Sequence, residues 1–557
     1  MSAVYAQSPA HAPRYLKLAL AASVVLFLLL AQRVFVYVPD DAFITFRYSR
    51  NLADGFGPVF NPGALASDRA EGYSCPLFMV VMAILFKLPL GIDPLLRVKF
   101  FGLLCGIGVL FAASKLAARL RLPGWAICAA PVLLAAHAGI SVSAVDGMET
   151  VPQALLMTLA ALSFLAAFDG EDEDSGRRNK AAMLSGLAFA ACALNRPEGL
   201  LAGLFAAVLL LIFRRGSRER GRVTRWLLTF AAPVMAWFLF RRAFYGVWLP
   251  NTYYAKMAPL EDAIFKGLTY LLRTFFYQVN ESAFLFAVGA AWWALALVGA
   301  SGERFRRFPA LIVPLMVVGQ AIFALRSGGD WMGGWRYMTA ALPLLMLLSL
   351  AGIAEIAGLV RNAIGASGTR ALIGVSCAAL FAACLLGQNG FWTQGAHDGY
   401  LAWSSKNFSL NQRKLLSGWK LERAVVIGDW LNKNVAPGSV AAYSEMGVTP
   451  FFAPQVRFLD VDGLTDHGIA TLPGAKHGQI GVESDYLSAA TSVGAYLKDE
   501  RKPDYLLRGA SAEPQYSALD DAYPLSATFP IPIFSDESAG ASDNAPKNAI
   551  MGVWKRK

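Results

Sequence analysis

The chain has 557 residues, of which 56% are hydrophobic and 16% charged, with a formal net charge of +11 and a mean hydropathy of +0.44. Soluble domains carry roughly 25% charged residues, so a wholly soluble globular protein is excluded. The positive charge is not a nucleic-acid signature either. It lies mostly in short loops between apolar runs, most densely at Arg214, Arg215, Arg218, Arg220, Arg222 and Arg225, and such loops collect Lys and Arg on the cytoplasmic side, whereas nucleic-acid binding needs a basic soluble face.

Apolar runs of about 18 residues or more recur along the chain and stop near residue 390. The expected fold is an α-helical polytopic membrane domain over residues 1–390 and an external α/β domain over 391–557. Arg14 and Lys17 precede an apolar run, Leu18 to Val38, that is too long for a signal peptide and lacks a small-residue cleavage site. It is expected to be a retained helix with the N-terminus in the cytoplasm. Eleven spans are expected, at 16–37, 97–117, 124–140, 151–168, 181–194, 198–213, 224–241, 283–300, 308–325, 337–357 and 371–388. The further apolar stretch Cys75 to Ile92 is expected not to cross, because crossing would turn the Arg-rich segments 214–225 and 304–307 outward. It reads as a re-entrant or juxtamembrane helix broken near Pro89 and Gly91. The six cysteines lie in or beside apolar segments and none in the tail, which argues against a disulfide framework or thiolate metal site. In the tail, Arg423–Asn434 reads as an amphipathic helix; Ser439–Tyr443, Val456–Val461 and Asp504–Leu507 read as strands, with turns at Pro437-Gly438 and Asp462-Gly463.

With that threading the outward segments are 40–73, 146–150, 195–199, 242–282 and 326–337, rich in acids, aromatics, Gly and Pro. Asp40 and Asp41 follow the first span. Carboxylates at a membrane boundary are costly; one serves as a helix cap, but a pair also offers a general base with a second carboxylate to orient it or hold a hydroxyl. Glu71 and Tyr73 precede the non-crossing helix. Glu149 stands where a span starts, as a first-turn acid or a site residue. Arg196 either pairs with Glu198 or offers its planar fork to a lipid phosphate. The segments Leu249–Lys256, with Asn251, Tyr253, Tyr254 and Lys256, and Ser327–Tyr337, with Asp330, Trp331, Trp335 and Arg336, combine aromatics, a basic residue and, in the second, flexible Gly. An interfacial belt needs the aromatics but not Asp330 or Arg336; stacking on rings with charged groups holding hydroxyls or phosphate is what a carbohydrate site needs. Asp40, Asp41 and Asp146 also offer hard oxygen ligands to a divalent cation, while Lys and Arg offer another way to neutralise phosphate.

The segments DDAFITFRYSRNLADGFGPVFNPG (Asp40–Gly63), EGYS (Glu71–Ser74), PNTYYAK (Pro250–Lys256), GGDWMGGWRY (Gly328–Tyr337) and LDVDGLTDHGI (Leu459–Ile469) together resemble the mycobacterial terminal β-(1→2)-arabinofuranosyltransferases. The double Asp after the first helix is shared by membrane glycosyltransferases of the GT-C fold, and its combination with the other segments is more specific. The resemblance implies a GT-C membrane glycosyltransferase that moves a sugar, D-arabinofuranose in the nearest relatives, from a polyprenyl-phosphate donor to a hydroxyl of a cell-envelope glycan. Transfer is implied on the outer face of the cytoplasmic membrane. It implies Asp40 or Asp41 as the catalytic carboxylate, Arg196, Lys256 and Arg336 near donor phosphate, and the tail as an external carbohydrate-binding domain. Glu71, Tyr73, Glu149, Asn251, Tyr253, Tyr254, Asp330, Trp331 and Trp335 are the candidate substrate contacts. The competing functions are a transporter or flippase of lipid-linked sugar, a non-catalytic glycan-binding partner, and transfer of another sugar onto lipopolysaccharide or pilin.

Overall fold

The computed structural model of the chain describes residues 13–169, 175–213, 216–256, 260–273, 283–330, 336–386, 421–473, 486–510, 517–519, 521–532 and 548–557. The expected boundary at 390/391, and the aromatic candidates Trp331 and Trp335, lie outside the described residues. The expected spans fall on helices. Five of these are long and apolar enough to cross a membrane by length and composition: Leu16–Arg33, Pro94–Arg119, Thr150–Phe168, Glu219–Tyr245 and Leu342–Leu385. Gly124–Ala136, Gly199–Phe213, Ala290–Ser301 and Ile312–Ser327 are apolar but shorter. The last two expected spans form one helical stretch, Leu342–Leu386, interrupted where Gly365 adopts φ 68°. Pro76–Lys87, the helix within the stretch expected not to cross, has 12 residues, about 18 Å at 1.5 Å per residue against a hydrocarbon core of about 30 Å.

The chain folds into two compact units. One comprises Met1–Phe35, Val98–Trp237 and Pro259–Leu401. Its helices pack as neighbours, Thr150–Phe168 on Ser175–Asn195 and Ala283–Ser301 on Leu342–Leu386. The second pair crosses at glycines: a Cβ on Gly299 would stand 1.9 Å from the Leu348 carbonyl oxygen and one on Gly352 2.0 Å from that of Leu295. Lipid tails are as apolar as Leu, so such backbone proximity, rather than apolar burial, is what holds helices together in a bilayer.

The other unit comprises Val36–Arg97, Phe238–Ala258 and Ala402–Lys557, so the tail shares a core with two segments remote from it in sequence. The tail carries a mixed six-stranded sheet. Its strands are β1 (Val440–Tyr443), β2 (Arg457–Asp460), β3 (Tyr505–Ala510), β4 (Ser517–Ala518), β5 (Tyr523–Pro532) and β6 (Asn548–Lys555), in the order β2-β1-β3-β6-β5-β4. β1 runs parallel to β2 and β3, and β6 runs antiparallel to β3 and β5. The expected tail helix is present as Leu421–Asn434. The sequence reading contains the first three strands and lacks the β5–β6 ladder. Against the Val448–Phe452 helix lies the Asp40–Ala53 helix, with acids in its first turn and Arg50 in its last, a polarity that suits the helix dipole. Phe43 and Phe46 of this helix meet Phe451 edge to face with ring centroids 5.1 and 6.4 Å apart.

Candidate functional site

Asp40 and Asp41 occupy the first turn of the Asp40–Ala53 helix, but Pro39 stands at its cap position and makes no side-chain cap bond. Asp40 instead accepts hydrogen bonds at the start of another helix, Val448–Phe452, from the Gly447 amide at 3.0 Å and the Val448 amide at 2.8 Å. Capping chemistry is therefore present, across some 407 residues of sequence. Gly447 is required by this approach: a Cβ there would lie 2.1 Å from the Asp40 carbonyl oxygen and 2.4 Å from its Oδ2. Burial, the nearby Glu445 and Asp41 push the Asp40 carboxyl up to about 7, against the pull of the two amides. Asp41, partly buried, has no hydrogen-bond or ion-pair partner among the described residues.

The same unit draws together three other segments singled out in the sequence, around Glu71, Asn251 and Leu459–Ile469. The Asn251 amide nitrogen donates to the Glu71 carbonyl at 2.9 Å, and its side-chain Nδ2 donates to the carbonyls of Gly463 at 2.7 Å and Leu464 at 3.1 Å. Asn251 Oδ1 lies 2.7 Å from His467 Nδ1. The Glu71 carboxylate is buried in a bidentate pair with Arg241, one arm at 3.2 Å. Arg241 also donates to the Trp248 carbonyl at 3.1 Å. Tyr73 and Tyr245 hydroxyls are 2.9 Å apart, and Tyr245 donates to the Pro58 carbonyl at 2.6 Å. Tyr253 is 45% exposed and stands edge-on to Tyr254, which in turn meets the His467 ring at 5.2 Å. Lys256 is half-buried with no ion pair among the described residues.

Below them, the fully buried Asp460 shapes the 460–465 loop by accepting from the Asp462 amide at 3.0 Å, and from the Thr465 amide and hydroxyl at 2.7 and 3.2 Å. Burial and the adjacent Asp462 push its carboxyl up to about 7. Asp466 caps the His467–Ala470 turn through the Ile469 amide at 3.0 Å and pairs with Arg501 at 3.0 Å, which also reaches Asp68 at 3.3 Å.

The other unit holds a separate buried ionic cluster. Arg196 is bound by Glu149 and by Glu198, so the local pairing read from Arg196 and Glu198 exists and is extended by an acid 47 residues away. Gln320 donates to Glu198 at 3.3 Å, and Asn195 donates to Gln153 at 3.0 Å and to the Glu149 carbonyl at 3.2 Å. Arg336 makes a bidentate pair with Asp330, one arm at 3.3 Å, and reaches Met148 Sδ at 3.2 Å. The Met148 amide in turn donates to Asp146 at 2.8 Å, whose carboxyl is pushed up to about 7 by burial and by Glu149. Among the described residues no group of three or more His, Cys, Asp and Glu side chains is arranged to hold a metal ion.

Sequence reasoning passed over several residues that hold the tail's unit together. Arg47, 3% exposed, gives its guanidinium to the carbonyls of Phe60 at 2.8 Å, Val456 at 3.0 Å and Pro450. Asn61 pairs with Phe458 of β2 as a strand neighbour would, donating to its carbonyl at 2.7 Å and accepting from its amide at 2.9 Å. Arg241 sat at the end of an apolar run with nothing to name its partner. His467 lay inside a quoted motif but carried no role.

A curated protein of Mycobacterium tuberculosis named terminal β-(1→2)-arabinofuranosyltransferase is 27% identical over 360 residues, covering 58% of this chain and 53% of that protein. Its namesake from Corynebacterium glutamicum is 28% identical over 335 residues, covering 56% and 48%. The chain resembles the terminal arabinofuranosyltransferases. It spans about half the length of the curated relatives it matches. In fold it is similar to ArnT from Cupriavidus metallidurans, solved with bound undecaprenyl phosphate, with a TM-score of 0.54 and 14% identity over 98% of both chains. The fold, helices with a C-terminal sheet domain, thus resembles that of GT-C membrane glycosyltransferases. Residues 415–546 match a domain of unknown function, DUF8728.

Proposed function

We propose that this chain is a multi-pass glycosyltransferase of the cytoplasmic membrane. In this reading it moves a sugar, D-arabinofuranose first among the candidates, from a polyprenyl-phosphate donor to a hydroxyl of a cell-envelope glycan on the outer face. The N-terminus is then cytoplasmic and the tail extracytoplasmic. The similarity to proteins named arabinofuranosyltransferases supports the sugar, and the undecaprenyl phosphate in ArnT supports the class of donor.

The observation that carries the chemistry is the division of labour in the Asp pair. Asp40 has both oxygens engaged by backbone amides, while Asp41 has no partner among the described residues. Asp41 is therefore assigned as general base and Asp40 as the residue that fixes the helix start on which it stands. As the acceptor oxygen forms its bond to the anomeric carbon of the donor, its proton passes to the Asp41 carboxylate. The bond from that carbon to the phosphate oxygen breaks, with its electron pair left on polyprenyl phosphate. Positive side chains stabilise the charge that develops there. Lys256 is assigned this part because no ion pair among the described residues occupies it; Arg196 and Arg336 are the further phosphate contacts proposed, each entering the reaction with a carboxylate already bound. Glu71, Tyr73, Glu149, Asn251, Tyr253, Tyr254 and Asp330 are assigned to hold the substrates or the loops that meet them.

The test is transfer by the purified full chain given a panel of polyprenyl-phosphate sugars and synthetic octyl glycosides, with and without added Mg²⁺. The expected result is a glycosylated product from an arabinofuranosyl donor, and loss of at least about a hundredfold in rate for Asp41→Asn, the scale of general-base catalysis. Wild-type rates in Asp41→Asn, or no product from any donor, would overturn the assignment.

A further inference from the structure

The contacts of Asn251 fix the protonation of a histidine to which no role has been given. Both hydrogens of the Asn251 amide are directed at carbonyl oxygens, those of Gly463 at 2.7 Å and Leu464 at 3.1 Å. The atom 2.7 Å from His467 Nδ1 is therefore the amide oxygen, which only accepts hydrogen bonds. His467 must donate to it, so its proton resides on Nδ1. In a neutral imidazole the second nitrogen, Nε2, is then a bare lone pair. No described residue donates to it, and the ring is only half-buried.

Burial of the ring favours this neutral state. Burial lowers the His467 pKa, and the adjacent Asp466 opposes the shift; Asp466 is itself paired with Arg501, which also holds Asp68. Tyr254 meets the ring edge-on, and Tyr253, half-exposed, stands edge-on to Tyr254 in turn. A bare imidazole nitrogen repels an anion and takes a hydrogen-bond donor. Placed beside aromatic faces, it suits the hydroxyl of a sugar rather than a phosphate.

We propose that His467 is an acceptor-binding residue: Asn251 holds its proton on Nδ1, and Nε2 receives the hydrogen bond of a hydroxyl on the carbohydrate acceptor. Asn251 is thereby a positioning residue, acting through the histidine. This rests on the glycosyltransferase reading, and sharpens it by separating an acceptor contact from the groups assigned to the donor phosphate.

Steady-state transfer by the full chain to an octyl arabinofuranosyl oligosaccharide tests the site. His467→Asn places an amide donor near the position of Nδ1 and has no atom at Nε2. Its KM for the acceptor should rise about tenfold, the cost of one hydrogen bond, with kcat and the donor KM within about twofold. An unchanged acceptor KM, or an equal loss against both substrates, overturns the proposal. The chain has 5 histidines, so ¹⁵N-histidine labelling of the wild-type protein gives a readout that does not depend on a variant folding. His467 should show a protonated Nδ1 and a bare Nε2, with the Nε2 resonance moving saturably as the glycoside is added. Asn251→Ala should release that tautomer. A proton on Nε2, or no movement while transfer to the same glycoside proceeds, overturns the proposal and leaves the enzyme assignment standing. If no donor yields product, the enzyme assignment falls, and the same titration with octyl arabinofuranosides and octyl mannosides still decides the site. A saturable shift then upholds carbohydrate binding, and its absence overturns it.

Discussion

Asp40→Asn isolates the energetic effect of one carboxyl on the tail's unit. The Asp40 carboxyl is pushed from 3.8 up to about 7 by burial and by Glu445. A carboxyl whose folded pKa lies above its unfolded one binds a proton in the native state that the unfolded chain has already lost. Its stabilising contribution is therefore whole below about pH 4 and is lost as pH rises through about 7, at about 1.4 kcal/mol per pH unit. Between pH 5 and 7 the loss is roughly 3 kcal/mol for a sealed site, and about half that for a carboxyl partly open to solvent, as Asp40 is. Asparagine keeps an acceptor for one of the two amides and cannot ionise. Hydrogen exchange of the Gly447 and Val448 amides, corrected for the intrinsic pH dependence of exchange, reads the local opening free energy directly. In the wild type their protection should fall about tenfold over that interval, while in Asp40→Asn it should stay level. Equal pH dependence in the two proteins would refute the claim that Asp40 is the titrating group at this junction.

Gly447→Ala should cost about 2 kcal/mol, the loss of two hydrogen bonds to the Asp40 carboxyl, because its Cβ would overlap the Asp40 backbone; proteolytic cleavage within 444–452 should rise accordingly, and wild-type resistance would argue against that contact. Glu71→Ala leaves Arg241 buried without its carboxylate, a change on the order of 3–5 kcal/mol, so the yield of folded protein in detergent should fall sharply, and more than for Tyr253→Ala at an exposed ring.

Much of this molecule was legible from local patterns. Apolar runs mark the helices of the membrane domain because a segment that meets lipid must be apolar along its own length. Alternation and turn residues located β1, β2, β3 and the Leu421–Asn434 helix, since each buries a face whose period is written in consecutive residues. β5 and β6 escaped that reading: β5 holds Pro524, Pro530 and Pro532, residues that argue against a strand interior, and its pairing with β6 across a register shift has no local signature.

At the candidate site the sequence supplied the residue types, and four of the five motif segments proved to lie in the tail's unit, Gly328–Tyr337 belonging to the other. It left open what each side chain holds. Asp40 was legible as an acid able to cap a helix, but which helix depends on a chain contact made 407 residues away. Arg196 was legible as pairing with Glu198, and the added partner Glu149 was not. The proton on His467 Nδ1 is a third case, because it follows from two carbonyls turning the Asn251 amide. By itself, then, the sequence determined where the chain is apolar, where it turns and which chemical groups it spends at the membrane boundary, for those depend on neighbours along the chain. Only the tertiary structure decided which carboxylate is tethered and which is left without a partner, because hydrogen bonds and ion pairs at a few ångströms are selected by the folded backbone and leave no periodic trace in the sequence.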